Sequence, residues 1–159
     1  MIKAISLWEP WATLIALGKK RYETRSWKTF YRGPLLICAA KKKLPFIEIA
    51  SLLHSFQLTI DDLHYGRAIA IVDLAVIFTT DYIHDAIDAI EKKVGDFSSG
   101  RYAWKLDNVR KFEKPPWIRG KQGLFDAPDI YMGMNFVKPL YNLPAHEAQG
   151  KNRNQDSTD

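Results

Sequence analysis

Gly18-Lys19-Lys20-Arg21-Tyr22-Glu23-Thr24-Arg25 places an amine, a carboxylate and a guanidinium in a Gly-x-Lys-x-x-Glu-x-Arg arrangement. Trp8 and Trp11 precede it and Trp27 follows it. Arginine and lysine can hold a phosphate or a carboxylate, glutamate can accept from the amino group of a base, and indole faces can stack. Two readings stand for the charged trio. Glu23 and Arg25 are two residues apart, so on an extended strand they share a face and could form a surface ion-pair ladder with Lys20. Alternatively, Arg25 grips a phosphate or base edge bidentately, with Lys20 as a second cation. A lysine and a carboxylate sharing a cleft can also tune each other for acid–base work, which makes Lys20 and Glu23 the catalytic candidates if the protein is an enzyme. Trp27, Lys28 and Arg32 form a stacking-plus-phosphate cluster. Of Trp8 and Trp11, one is expected in the core and one at the surface. Lys41-Lys42-Lys43 either is a solvated run or lines a groove.

Other chemistries find little support. The four histidines (54, 64, 84 and 146) lack metal-ligand spacing, and one cysteine cannot complete a zinc site. Neither a glycine-rich phosphate loop nor a helical His-Glu-x-x-His is present, and Ser98-Ser99-Gly100 reads as a turn. No metal and no cofactor are expected. Cys38 lies in the apolar run Pro34 to Ala40 and reads as a buried core thiol. A lone cysteine excludes an intrachain disulfide and fits a reducing compartment. No apolar run approaches the roughly 18 residues of a membrane helix, and the amino terminus lacks the layout of a signal peptide. A cytoplasmic protein without a membrane partner is expected.

The elements that must position the trio are legible in outline. The 159 residues suit one domain with a proper core. Lys3 to Trp8 alternates as a first strand. Pro10 opens a short helix through Leu17, with Gly18 as its stop. Residues 20–25 form a second strand or a strand-edged loop, Gly33-Pro34 a turn, and Leu35 to Ala40 a buried strand. Leu44 to Phe56 has helical spacing through Ile47, Ile49, Leu52, Leu53 and Phe56. Arg67 to Thr79 is the longest β-like run, in which Asp73 marks a bulge or a polar contact. Asp81 to Val94 reads as an acidic, solvated amphipathic helix, 101–106 alternates as a strand, Pro115-Pro116 interrupts, and 120–125 is another turn-bounded element. From His146 the chain is polar, so a domain over 1–140 and a disordered tail over 141–159 are expected. Many short strands without a βαβ repeat predict an α+β fold, mainly β: a small barrel decorated by helices.

Charge is segregated along this layout. Residues 1–43 carry ten Lys/Arg against two Asp/Glu, 44–99 carry three against nine, and 100–138 carry eight against four. The net charge of +5 therefore hides basic and acidic faces. Aromatics interleave the basic segments, which favours nucleic acid over a merely solvated surface. The acidic segment 81–91 is the candidate surface for a protein partner.

Ile5-Ser6-Leu7-Trp8-Glu9-Pro10-Trp11-Ala12 and Gly18-x-Lys20-x-x-Glu23-x-Arg25-Ser26-Trp27 resemble the ASCH family, the activating signal cointegrator-1 homology domain. The likeness continues through 31–37, 102–110 and 120–125, and so covers roughly residues 3–128. It implies a PUA-like β-barrel with helices packed around it, and a cleft suited to RNA or a nucleotide-like ligand. Lys20, Glu23 and Arg25 would line that cleft, with Trp8, Pro10 and Trp11 at its rim. The family more usually has glutamine at position 9. Glu9 thus adds a negative charge that either pairs with a local cation or repels phosphate. Some bacterial relatives are N4-acetylcytidine amidohydrolases and others are described as ribonucleases. Lys20 matches the amidohydrolase lysine, whereas Glu23 stands where that pattern has threonine. The resemblance therefore implies an RNA- or modified-nucleotide-binding protein, with a hydrolase acting on RNA or a modified nucleoside as the rival.

Overall fold

Leu35-Leu36-Ile37-Cys38 is apolar at every position because the strand it forms is covered on both faces. The computed structural model describes residues 1–138; the expected domain end at 140 and the expected tail 141–159 lie outside the described residues. Six strands make one sheet: β1 (Ile2–Leu7), β2 (Tyr22–Arg25), β3 (Gly33–Ala39), β4 (Ala68–Thr79), β5 (Tyr102–Lys111) and β6 (Leu124–Ala127). Their order is β2-β5-β4-β3-β1-β6. β1 and β3 run parallel, and the other pairings are antiparallel.

Period-two alternation sorts the core. Leu35 and Ile37 join Ile5, Leu7, Val72, Leu106 and Trp104 under the first helix, α1 (Trp11–Ala16). Leu36 and Cys38 join Ile2, Ala4, Ile71, Phe112 and Phe125 on the opposite face. Each such aliphatic or phenyl side chain contributes about 1.5–3 kcal/mol by leaving water. Burial pushes the Cys38 thiol up to about 12, so it stays protonated and inert.

The expected α+β, mainly β architecture is present as a curled half-barrel rather than a closed one, with β2 and β6 at its edges. β4 helps to curl it, because its register against β5 shifts between Ile71 and Asp73 and again between Leu74 and Val76. Asp73 is both irregularity and polar contact: it takes Arg110 Nη2 at 2.7 Å and Asn108 Nδ2 at 2.9 Å.

Two helical expectations are modified. In α2 (Phe46–Ser55) only Ile49 and Leu53 are buried, one turn apart, against Leu63; Ile47 faces water. The expected solvated helix over 81–94 is three pieces: α3 (Thr80–Ile83), a 3-10 turn (His84–Ala86) and α4 (Ala89–Val94). Nor is it wholly solvated, because Glu91 is buried and accepts from Arg21 N at 2.6 Å and Arg21 Nε at 3.2 Å.

Candidate functional site

Gly18 ends α1 with φ +70°, a conformation that favours glycine. The Lys19 and Lys20 amides then both fold back onto the Leu14 carbonyl, at 2.9 and 3.1 Å. This turn sends the Lys20 side chain inward, where it is only 2% exposed. Its Nζ donates to the Val94 carbonyl at 3.0 Å, at the C-terminus of α4, and lies 3.7 Å from Glu23 Oε2. Burial pulls the Lys20 amine below its ordinary value, and the carboxylates of Glu23 and Glu91 oppose that shift only in part.

β2 continues the row. Glu23, 13% exposed, pairs through Oε1 with Arg25 Nε at 3.0 Å. That ion pair lacks hydrogen-bond alignment, so the buried Nε–H has no acceptor. The two sequence readings merge here: a Lys20–Glu23–Arg25 chain of ion pairs exists, but its lysine end is interior rather than on the surface. Thr24 ties the opposite wall to β2 by accepting the Asp96 amide at 3.1 Å.

These residues line a cavity of about 520 Å³, inner only in that the buried Lys20 reaches it, bounded by Ser6, Leu7, Trp8 and Trp11 and by Lys93 to Asp96. A second, outer cavity of about 750 Å³ shares Ser6, Trp8 and Arg25 with it. Trp27, Lys41, Lys42, Arg119 and the loop Gly120 to Gly123 complete its wall, and no carboxylate is among its lining residues. Both lie at the carboxyl end of β1, and the outer one also reaches that of β3 at Ala39 and Ala40. At the junction sits the Ser6 hydroxyl, buried and without a partner. Gly120 crosses directly over it: a Cβ there would lie 2.3 Å from Ser6 Oγ.

The remaining sequence candidates divide. Trp8 is 45% exposed at the junction, with Lys42 Nζ 5.1 Å from its ring centroid. Trp11 is half-buried in the inner wall. Trp27 stands edge-on to the buried Trp104 at 4.9 Å and reaches the outer cavity. Pro10 is buried. Glu9 is fully buried, pairs with no cation among the described residues and lines neither cavity. Its oxygens accept Thr13 N at 2.9 Å, Thr13 Oγ1 at 2.7 Å and His64 N at 3.0 Å, so it caps α1 and pins the 64–67 loop. Arg32 bonds the Thr29 and Tyr31 carbonyls of its own loop, and Lys28 reaches over Tyr102; neither lines either cavity. In the acidic segment, Asp88 and Glu91 are taken by Arg21.

Sequence reasoning did not single out Ser6, the Lys93–Asp96 wall or Gly120–Gly123 as parts of a site. The last had a signal: a Gly-Lys-Gln-Gly run beside Arg119 brings unencumbered backbone amides and cations together. Among the described residues no cluster of three or more His, Cys, Asp or Glu could hold a metal ion, and no helix is long and apolar enough to cross a membrane.

The ASCH domain model matches residues 5–116, which is most of the chain and includes the whole ion-pair row. The chain belongs to the ASCH domain family. Segment similarity links this ASCH domain to activating signal cointegrator 1 of Homo sapiens, 43% identical over 54 residues, and of Mus musculus, 41% over 54 residues. Those matches span 34% of the chain and only 9% of either relative. Among solved structures, the ASCH protein of Zymomonas mobilis superposes with a TM-score of 0.54 at 16% identity, covering 82% of this chain and 90% of that one. A point variant of the same protein gives 0.52, again at 16% identity, over 82% and 93%. At such identity the likeness concerns the fold. The ASCH family as a whole is associated with RNA binding.

Proposed function

We propose that this ASCH domain binds RNA or a modified nucleotide in the groove formed by the two joined cavities. The observation that carries the reading is the junction itself: the Ser6 hydroxyl is buried there without a partner and the buried Arg25 Nε–H, though ion-paired to Glu23, has no aligned hydrogen-bond acceptor, beside a half-exposed tryptophan. Unpartnered buried polar atoms are rare in folded proteins, and a ligand that supplies the missing partners accounts for them. A base seated in the inner cavity meets Glu23 as acceptor and Trp8 and Trp11 as flanking rings. Its phosphates meet Lys41, Lys42 and Lys121 in the outer cavity, which no carboxylate lines, and Arg25, which Glu23 already engages, at the junction.

The test is anisotropy of a short labelled single-stranded RNA titrated with wild type and Arg25→Ala, with the RNA followed for integrity. Salt-sensitive binding that the variant loses, with the RNA whole, is the expected result. A folded wild type that binds no RNA overturns the reading.

One observation favours the rival hydrolase. Lys20 is a buried amine, lowered by its burial, within reach of Glu23 and facing a cavity, which is how a general base is poised. Turnover of the RNA or of an N4-acylated cytidine, abolished in Lys20→Ala, would establish it. The acidic segment 81–91 is a weaker partner surface, because Arg21 engages Asp88 and Glu91.

A further inference from the structure

The outer cavity does not end at the glycine loop. A third hollow of about 450 Å³, lined by Lys41, Gly66, Trp117, Ile118 and Arg119, shares Lys41, Ile118 and Arg119 with it. The three cavities therefore run in series, each sharing lining residues with the next. Trp117, Ile118 and Arg119 lie beyond the segment that the ASCH model matches.

Trp117 is held in an unusual way for a tryptophan that is 69% exposed. The Arg67 guanidinium lies 3.7 Å from its ring centroid, and Arg67 Nη1 is itself fixed by the Pro115 carbonyl at 2.8 Å. The backbones of Arg67 and Trp117 form a bridge, and the Ile118 amide donates to the Gly66 carbonyl at 3.1 Å. Gly66 is needed beneath the ring: its φ is +73°, and an added Cβ would already touch the indole at 3.4 Å. The indole is thus braced by a cation and a backbone and still leaves most of its surface to solvent. Lys41 and Arg119 beside it have no carboxylate partner among the described residues. A rigid exposed ring flanked by free cations is the arrangement that stacks a base while its neighbouring phosphates are held.

We infer that Trp117, braced by Arg67, is a second base-stacking platform, and that the ligand class is a single-stranded oligonucleotide spanning all three cavities rather than a lone nucleoside or mononucleotide. The inference rests on the groove being the nucleotide site and adds the ligand's length and a second contact point. Stacking is tolerant of sequence, so the platform adds affinity more than base preference.

The experiment compares two probes, cytidine 5′-monophosphate and a labelled single-stranded RNA of about eight nucleotides, on wild type, Trp117→Ala, Trp117→Leu and Trp117→Phe. Thermal melts verify folding, and Trp117→Leu and Trp117→Phe preserve bulk should Trp117→Ala be unstable. The expected result is that wild type prefers the oligonucleotide. Trp117→Ala and Trp117→Leu then lose roughly ten-fold or more of oligonucleotide affinity, keep mononucleotide affinity, and leave the salt dependence unchanged, because stacking neutralises no phosphate. Trp117→Phe retains most of the binding. Unchanged oligonucleotide affinity in folded Trp117→Ala and Trp117→Leu overturns the platform while leaving the nucleotide groove intact. A loss shared equally by both probes, or a flattened salt dependence, also overturns it. Failure of wild type to bind either probe overturns the groove reading and the platform with it.

Discussion

The inner and outer cavities share three residues yet handle charge in opposite ways. In the inner one, Lys20 meets Glu23 at 3.7 Å and Glu23 meets Arg25 at 3.0 Å, with the lysine buried. In the outer one, Lys41, Lys42, Arg119 and Lys121 face a shared space with no carboxylate among the lining residues. Paired, buried charges fix one another's positions and make removal of either costly. Unpaired, hydrated charges contribute little to the fold but raise the local potential toward a polyanion. The proposed division of labour follows: the outer cavity supplies attraction and the inner one supplies shape and discrimination.

The largest expected effect lies on the outer side. A Lys41→Ala/Lys42→Ala/Lys121→Ala triple variant should lose on the order of a hundred-fold in RNA affinity at low salt, with the salt slope falling by about 2, since each single-strand phosphate contact contributes about 0.7. Its stability should stay within about 0.5 kcal/mol of wild type, because these side chains hold no structure together. Anisotropy over a salt series and urea unfolding check both halves. A large stability loss would break the contrast between the cavities.

Next comes the inner side, measured as stability. Glu23→Ala leaves Lys20 buried with the Val94 carbonyl and the residual attraction of Glu91, and should cost about 2 kcal/mol in urea unfolding. Glu23→Gln, which retains an acceptor, should cost less. If both variants unfold at the wild-type midpoint, the ion-pair row holds nothing in place and the inner cavity resembles the outer one.

The seam between them gives a smaller effect. In Gly120→Ala the new methyl would meet Ser6 Oγ at 2.3 Å and Ser6 Cβ at 3.2 Å, so the loop must shift, at about 1–2 kcal/mol. Ser6→Ala alone should be nearly neutral, since its hydroxyl has no partner to lose. Combining the two should recover part of the loss, and a double-mutant cycle measures that coupling. Strict additivity would mean that the two residues do not touch.

The sequence was informative wherever one local pattern sufficed. The alternation in β1, the unbroken apolar run of β3, and Pro10 and Gly18 at the ends of α1 follow from period and turn chemistry. The spacing of Lys20, Glu23 and Arg25 likewise follows from such a pattern as far as the ion-pair row is concerned. What could not be read depends on distant partners. Glu9 looks like any other carboxylate until Thr13 and the His64 amide, 55 residues away, are seen to consume it. Glu91 belongs to a segment acidic enough to suggest a solvated helix, yet the Arg21 backbone and side chain draw it inside. The wall facing Lys20 arrives from 74 residues along the chain. The half-barrel that brings these segments together depends on strand order, which no local period encodes.

The finest test of the comparison is pH. Burial lowers the Lys20 amine below 10.5, so above that lowered value the folded chain binds its proton less firmly than the unfolded chain does. Between the two values the unfolded state carries more protons, and stability therefore rises with pH across that window. Below it both states are protonated and the cost of the buried charge is constant. Lys20→Met keeps the volume and removes the titration, so its urea midpoint should lack this rise, and the wild-type curve minus the variant curve should climb across the window that ends at the ordinary value of 10.5. If the Lys20 difference is flat, the attraction of Glu23 offsets burial completely, and the inner lysine is electrostatically no different from one in a surface ion-pair ladder. If it falls with pH, Glu23 dominates outright. In that case Lys20 is held protonated as a structural and phosphate-binding cation, which removes the basis for a base-catalysed hydrolase in this cavity.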